Sequence, residues 1–218
     1  MCPAINDCCL WLCHNLRVPR REDHPTRLAL IECGLKLADE YGLHGFTVDM
    51  LLTESGISKG SLYHHFEDFI DLLETVQVRQ YAENIDLSIA QIEGALSNIG
   101  SKEGLRAAFY AVADAAHSGA NATARVKRAH MIGSTPGREK FAHQLGVEQD
   151  RLRDSLASLI ASAQEKGFVQ RHSEPKALAT FVLAYAQGLI VNDVAASPID
   201  YRDYVDIVKQ FVDVMIIT

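Results

Sequence analysis

Residues 58 to 66 read Ser-Lys-Gly-Ser-Leu-Tyr-His-His-Phe. Within two helical turns they gather hydroxyls, an ammonium, a phenol and imidazoles, a donor set suited to phosphate oxygens and base edges. Ser58 is placed to cap a short helix, whose first N–H groups and positive dipole end suit an anion. Lys59 adds a cation, and Gly60 and Ser61 are small enough for close approach to a groove. Tyr63 and His64 can donate to phosphates, and either Ser61 or His64 can reach a base edge. Leu62 and Phe66 point inward as core.

The elements that must position this segment are legible beside it. Thr47 can cap a first short helix, Val48 to Glu54, and Gly56 falls where the chain must turn sharply, favouring a residue tolerant of positive φ. Leu51, Leu52, Ile57 and Leu62 can hold this helix against a second, Lys59 to His65, at a wide angle. That is the spacing of a helix-turn-helix. Upstream, Leu28, Ile31, Leu35 and Ala38 predict a helix that Thr26 can cap and Gly42 or Gly45 can end. Downstream, a long helix begins near Glu67, with Ile85, Ile89, Ile92 and Leu96 on one face. Further helices are expected over 102–117, 122–132, 137–166, 175–195 and 201–217, with breakers between them and strand signals essentially absent. The expected class is all-α: a three-helix head with a helix-turn-helix, then a C-terminal helical bundle. The expected division is an arm, disordered, at 1–24, a head at 25–75 and a second domain at 76–218.

Other chemistry finds less support. Cys8, Cys9, Cys13 and His14 match no standard zinc spacing, and adjacent cysteines point in different directions. His117, His130 and His143 fall on separate helices without acidic i, i+4 partners, so solvated or pocket-lining roles are expected. Gly-rich phosphate loops, a nucleophile elbow and His-Glu-x-x-His are missing, so no enzyme, metal or cofactor is expected.

Composition sets outer bounds. A chain of 218 residues, 48% hydrophobic and 22% charged, can bury a proper core. Apolar runs stay below the ~18 residues that span a bilayer, so no membrane partner is expected. Five cysteines, four of them before residue 14, make a poor disulfide framework and point to a reducing cytoplasm. The formal charge of −7 argues against broad attachment to nucleic acid.

The chain resembles the tetracycline-repressor (TetR) family in Thr26-Arg27, the helix to Tyr41, Gly42 and Gly45, Phe46-Thr47-Val48, and Gly56-Ile-Ser-Lys-Gly-Ser-Leu-Tyr-His-His-Phe66. The resemblance covers about residues 25 to 75 and implies a homodimeric, all-helical repressor. In such a protein, an effector in the C-terminal domain alters the spacing of two DNA-binding heads. It also implies that Arg27, Thr47, Ser58, Lys59, Gly60, Ser61, Tyr63 and His64 carry DNA contact. Two departures stand out. Glu67-Asp68-Phe69-Ile70 replaces the basic residue usual there, and bulky Leu52 replaces a small one. Residues 26–66 hold three cations against five carboxylates, net −2. Arm residues Arg17, Arg20 and Arg21 are expected to supply some of the missing contacts, with neutral donors and helix ends supplying the rest.

The last two helices carry broad apolar faces: Leu178, Phe181, Val182, Tyr185, Leu189, Ile190 and Val194, then Tyr204, Ile207, Val208, Phe211, Val214 and Met215. In the family this pair packs against its symmetry mate, and a self-complementary patch suits two-fold pairing. The expectation is a cytoplasmic repressor that binds a palindromic operator on double-stranded DNA and is released by a small, mostly apolar effector. Effector contacts are assigned to Phe109, Tyr110, His130, Met131, Phe141 and Tyr185 from helical position alone. The alternative is a helical ligand-binding or adaptor protein whose DNA-binding head has decayed.

Overall fold

The structure, a computed structural model, describes residues 24–96 and 100–216. The arm, with its cysteines, His14 and arginines, lies outside the described residues. Helices follow one another as α1 (Pro25–Tyr41), α2 (Val48–Ser55), α3 (Lys59–His65), α4 (Phe69–Leu96), α5 (Lys102–Ala116), α6 (Ala122–Gly133), α7 (Glu139–Glu165), α8 (Pro175–Gly188), α9 (Ile190–Asp193) and α10 (Tyr201–Phe211). A π-helical turn, Val212–Ile216, continues α10. The described residues contain no strand, and no helix among them is long and apolar enough to cross a membrane. They divide into two compact units, one up to Gln80 and one from Tyr81, with the boundary inside α4.

In the first unit, α1 starts two residues earlier than its sequence suggested. His24, not Thr26, is the cap: its Nδ1 accepts from the Thr26 N–H at 3.2 Å, and Pro25 takes the first helical position, where a missing N–H costs nothing. The buried face also differs from the expected one. Leu30, Ile31, Gly34, Leu37 and Ala38 face inward, while Leu28 is 44% exposed. Gly34 explains the register, because a Cβ there would meet Val76 Cγ2 of α4 at 2.7 Å. The small residue that lets two helices close up is thus Gly34 on α1, and Leu52 packs at the edge of the same core. Leu30, Leu51, Leu62, Phe66, Leu72 and Val76 complete that core.

The acidic run after Phe66 has a structural use. The Asp68 carboxylate accepts from the Asp71 N–H at 2.8 Å, and Asp71 in turn accepts from the Glu67 N–H at 3.1 Å. This reciprocal arrangement caps the start of α4, so the helix opens at Phe69 instead of Glu67.

In the second unit, Leu105, Phe109 and Ala113 of α5, Leu156, Ala157 and Ile160 of α7, Ala179 of α8, and Val205 and Val208 of α10 form the core. The helix expected over 175–195 is broken in two near Gly188, and α7 opens at Glu139, after Gly137 at φ 76°. Charge is also buried here. Arg125 on α6 donates through Nε and Nη2 to both oxygens of Asp193 at 2.6 and 2.8 Å, with side chains only 7% and 1% exposed. The same guanidinium donates to the Ala116 carbonyl, and the Tyr201 hydroxyl donates to Asp193 at 3.0 Å. These bonds hold the Asp193 carboxyl below its ordinary range. A buried pair is tolerable only when its remaining lone pairs and protons are satisfied, as these are.

Candidate nucleic-acid interface

The helix-turn-helix forms through caps that the sequence places one after another. Thr47 Oγ1 accepts from the Met50 N–H at 3.3 Å and opens α2. Gly56 ends it at φ 66°, in the left-handed region where a Cβ is costly, and donates its N–H to the Leu52 carbonyl. Ile57 donates its N–H to Ser55 Oγ at 3.3 Å, and Ser58 Oγ then accepts from the Ser61 N–H at 3.2 Å to open α3. Two residues separate the left-handed turn from the next helix start, which fixes where α3 points.

Burial divides α3 cleanly. Leu62 and His65 face the core, with Phe66 beneath the helix end. Lys59, Gly60, Tyr63 and His64 are exposed, Tyr63 to 43%, and Ser61 is half-buried. A Cβ on Gly60 would meet no protein atom within 4 Å, so folding places no demand for glycine there. Lys59 forms no ion pair among the described residues, whereas Lys36 is committed to Glu54.

Arg27 sits beside this helix by a different device. Its guanidinium lies over the Phe66 ring at 5.0 Å from the centroid, which ties α1 to the end of α3. The imidazoles of His24 and His65 stand 4.7 Å apart, and those of His64 and His65 5.1 Å apart. His24 was missed as part of this surface. Pro25 was the available signal, since a proline at the first helical position marks the preceding residue as the cap. Cys33 lies behind α2, its thiol donating to the Leu51 carbonyl at 3.8 Å; burial pushes it up and keeps it protonated.

The eight residues expected at DNA therefore fall into three positions: Lys59, Gly60, Ser61, Tyr63 and His64 along α3, Thr47 and Ser58 at its approaches, and Arg27 at the neighbouring helix. The six residues expected at an effector are not gathered in one place. Phe109 lines a cavity of about 40 Å³ with Leu105, Leu159, Ile160 and Phe168. Tyr110 donates its hydroxyl to Asp213 at 2.6 Å. His130 is exposed, Met131 half-buried, and Phe141 fully buried beneath the Arg138 guanidinium. Tyr185 stacks on His117 at 5.6 Å, and burial pushes its phenol up to about 12. A larger cleft of about 250 Å³ opens between α6, α7 and α8 and contains none of the six.

His117 itself is neither solvated nor lining either cavity. It is 1% exposed, its Nδ1 lies 2.7 Å from the Ala113 carbonyl, and its Nε2 has no hydrogen-bond partner among the described residues. Burial holds its pKa down, so the ring stays neutral. Among the described residues, no cluster of histidine, cysteine or acidic side chains could hold a metal ion.

Comparison with known proteins agrees with this geometry. Residues 30–76 match the family model described as bacterial regulatory proteins, tetR family. No match is found among curated protein sequences. A putative transcriptional regulator from Saccharomonospora viridis, solved in complex with choline, is 18% identical; the alignment covers 88% of this chain and 97% of that one at a TM-score of 0.60. A putative TetR-family transcriptional regulator from Mesorhizobium loti is 14% identical over 86% of this chain and 93% of its own, at a TM-score of 0.58. Salmonella enterica GusR is 19% identical with the same coverage and a TM-score of 0.57. Residues 30–76 thus match the tetR family model of bacterial regulatory proteins, and the chain as a whole shares the fold of these solved regulators.

Proposed function

We propose that this protein is a transcriptional repressor that lays α3 into the major groove of a palindromic operator and leaves it when a small molecule binds the second unit. The observation that carries this reading is the division of α3. Its inner face finishes a core, while Lys59, Gly60, Tyr63 and His64 stand exposed on the outer side. Lys59, Tyr63, His64 and Arg27 contact phosphates, Ser61 or His64 reads a base edge, and Thr47 and Ser58 bring the helix to the groove. The acidic run at 67–71 caps α4, which removes one motive for reading the head as decayed.

Dimerisation through α8 to α10 completes the reading. Phe181, Val191, Val194, Ile207 and Val214 are exposed apolar side chains on or beside these helices, between 47% and 74% open. Apolar exposure of that density suits a two-fold interface. Such a dimer would act on cytoplasmic DNA. For release, the effector must favour the state that does not fit DNA, since equal affinity for both states shifts nothing. That the Saccharomonospora viridis protein of this fold was solved in complex with choline supports a small-molecule role for the second unit.

The test is a mobility-shift assay with the DNA upstream of the protein's own coding region. Specific retardation, abolished by Tyr63→Ala in a variant that keeps its thermal stability, is the expected result. Retardation unchanged by Tyr63→Ala and Lys59→Ala would remove α3 from the interface.

A further inference from the structure

The cleft between α6, α7 and α8 has a chemistry of its own. One wall is apolar, formed by Ile132, Leu183 and Ala184. Against it stand Arg128, Gln149 and Arg153. The two arginines differ in their commitments. Arg153 is neutralised by Asp150 at 2.7 Å and Asp154 at 3.0 Å. Arg128 has no carboxylate partner among the described residues. It donates through Nη2 to Gln149 Oε1 at 2.7 Å, and its guanidinium lies over the Tyr81 ring at 5.4 Å. Those contacts hold the group in place without cancelling its charge.

The Gln149 amide has only one admissible orientation. A guanidinium cannot accept a hydrogen bond, so the atom facing Arg128 must be the carbonyl oxygen. The buried Tyr81 hydroxyl donates to the same oxygen at 2.7 Å. The Gln149 NH₂ is therefore left as a donor with no acceptor among the described residues. One uncompensated guanidinium and one amide NH₂ thus line a cleft with an apolar wall.

We infer that this cleft binds a small carboxylic acid. The carboxylate would sit against Arg128 and the Gln149 amide, and the acid's apolar body would lie along Ile132, Leu183 and Ala184. A guanidinium offers parallel N–H donors matched to a carboxylate, which a neutral amide cannot use equally. A cleft of about 250 Å³ falls below the ~300–1,000 Å³ typical of sites for drug-sized ligands. The occupant is accordingly a short-chain or single-ring acid. This inference deepens the effector reading above and gives the mostly apolar molecule one anionic end.

The experiment is calorimetric titration of the full chain, without DNA, using hexanoate and benzoate beside hexanamide and benzamide. The acids are expected to bind at least about tenfold more tightly than the amides, and Arg128→Gln to lose about tenfold or more. Because Arg128 also packs on Tyr81, a second variant guards against misfolding. Gln149→Glu keeps an acceptor for Tyr81 and places a carboxylate on Arg128, so it should abolish acid binding while the melting temperature is retained. Equal binding of acids and amides, acid binding that survives both substitutions, or no acid heat at all would overturn the inference. The operator reading would still stand or fall by the DNA assay alone.

Discussion

In the unit ending at Gln80, the side chains assigned to DNA stand outside a finished core; in the unit beginning at Tyr81, charged and titratable groups are part of the interior. Lys59, Tyr63 and His64 are exposed on α3. The Arg125 and Asp193 side chains are 7% and 1% exposed, His117 is 1% exposed, and the Arg125–Asp193 pair holds helices together. The contrast separates two experiments that are usually confounded. Substitution on the outer face of α3 tests recognition with stability unchanged, whereas substitution at a buried charge of the second unit tests stability first.

The largest effect is expected inside the second unit. Asp193→Ala leaves Arg125 charged, buried and unpaired, which should cost about 3–5 kcal/mol of unfolding free energy in urea. A loss below about 1 kcal/mol would mean that water reaches the pair, and the contrast between the units would weaken.

A pH series sharpens the same point. The His117 pKa is held below its ordinary 6.5, chiefly by burial and further by Arg125, with the Ala113 carbonyl opposing. The unfolded chain therefore takes a proton that the folded one refuses, and stability should fall as pH drops below 6.5 toward the lowered folded value. His117→Phe should flatten that part of the profile. Loss from Asp193 has the same sign but begins only below its ordinary 3.8, so the two contributions separate along the pH axis.

Effects in the head are smaller. Ser58→Ala removes the α3 cap and should cost about 1 kcal/mol, readable by urea unfolding, while weakening DNA binding through fraying of the helix start. Smallest of all is Lys36→Ala, which breaks only the exposed pair with Glu54 and should leave the urea midpoint unmoved. A marked destabilisation there would show that the head, too, leans on its charges.

How much of this could be read from the sequence follows the same division. The helix-turn-helix is written locally. Thr47, Gly56 and Ser58 each act on a backbone group within four residues, so spacing alone exposes them. The face of α1 was less legible, because Leu28, Ile31 and Leu35 keep helical period yet Gly34 decides which side can approach α4. In the second unit, Arg125 meets Asp193 and Tyr81 meets Gln149, both 68 residues away in sequence. Helical position placed Phe109, Tyr110 and Tyr185 on inward faces, but it could not tell a packed interior from a cleft. The cleft depends on three helices whose spacing no local pattern encodes.

On the proposed function, the outer face of α3 enters the major groove. Methylation interference on the operator fragment tests it most directly, because guanine N7 lies in the major groove and adenine N3 in the minor. N7 methylation should block binding at guanines in two symmetric half-sites, and Tyr63→Ala should abolish the complex. Interference confined to adenine N3, or binding indifferent to N7 methylation throughout the site, would contradict it.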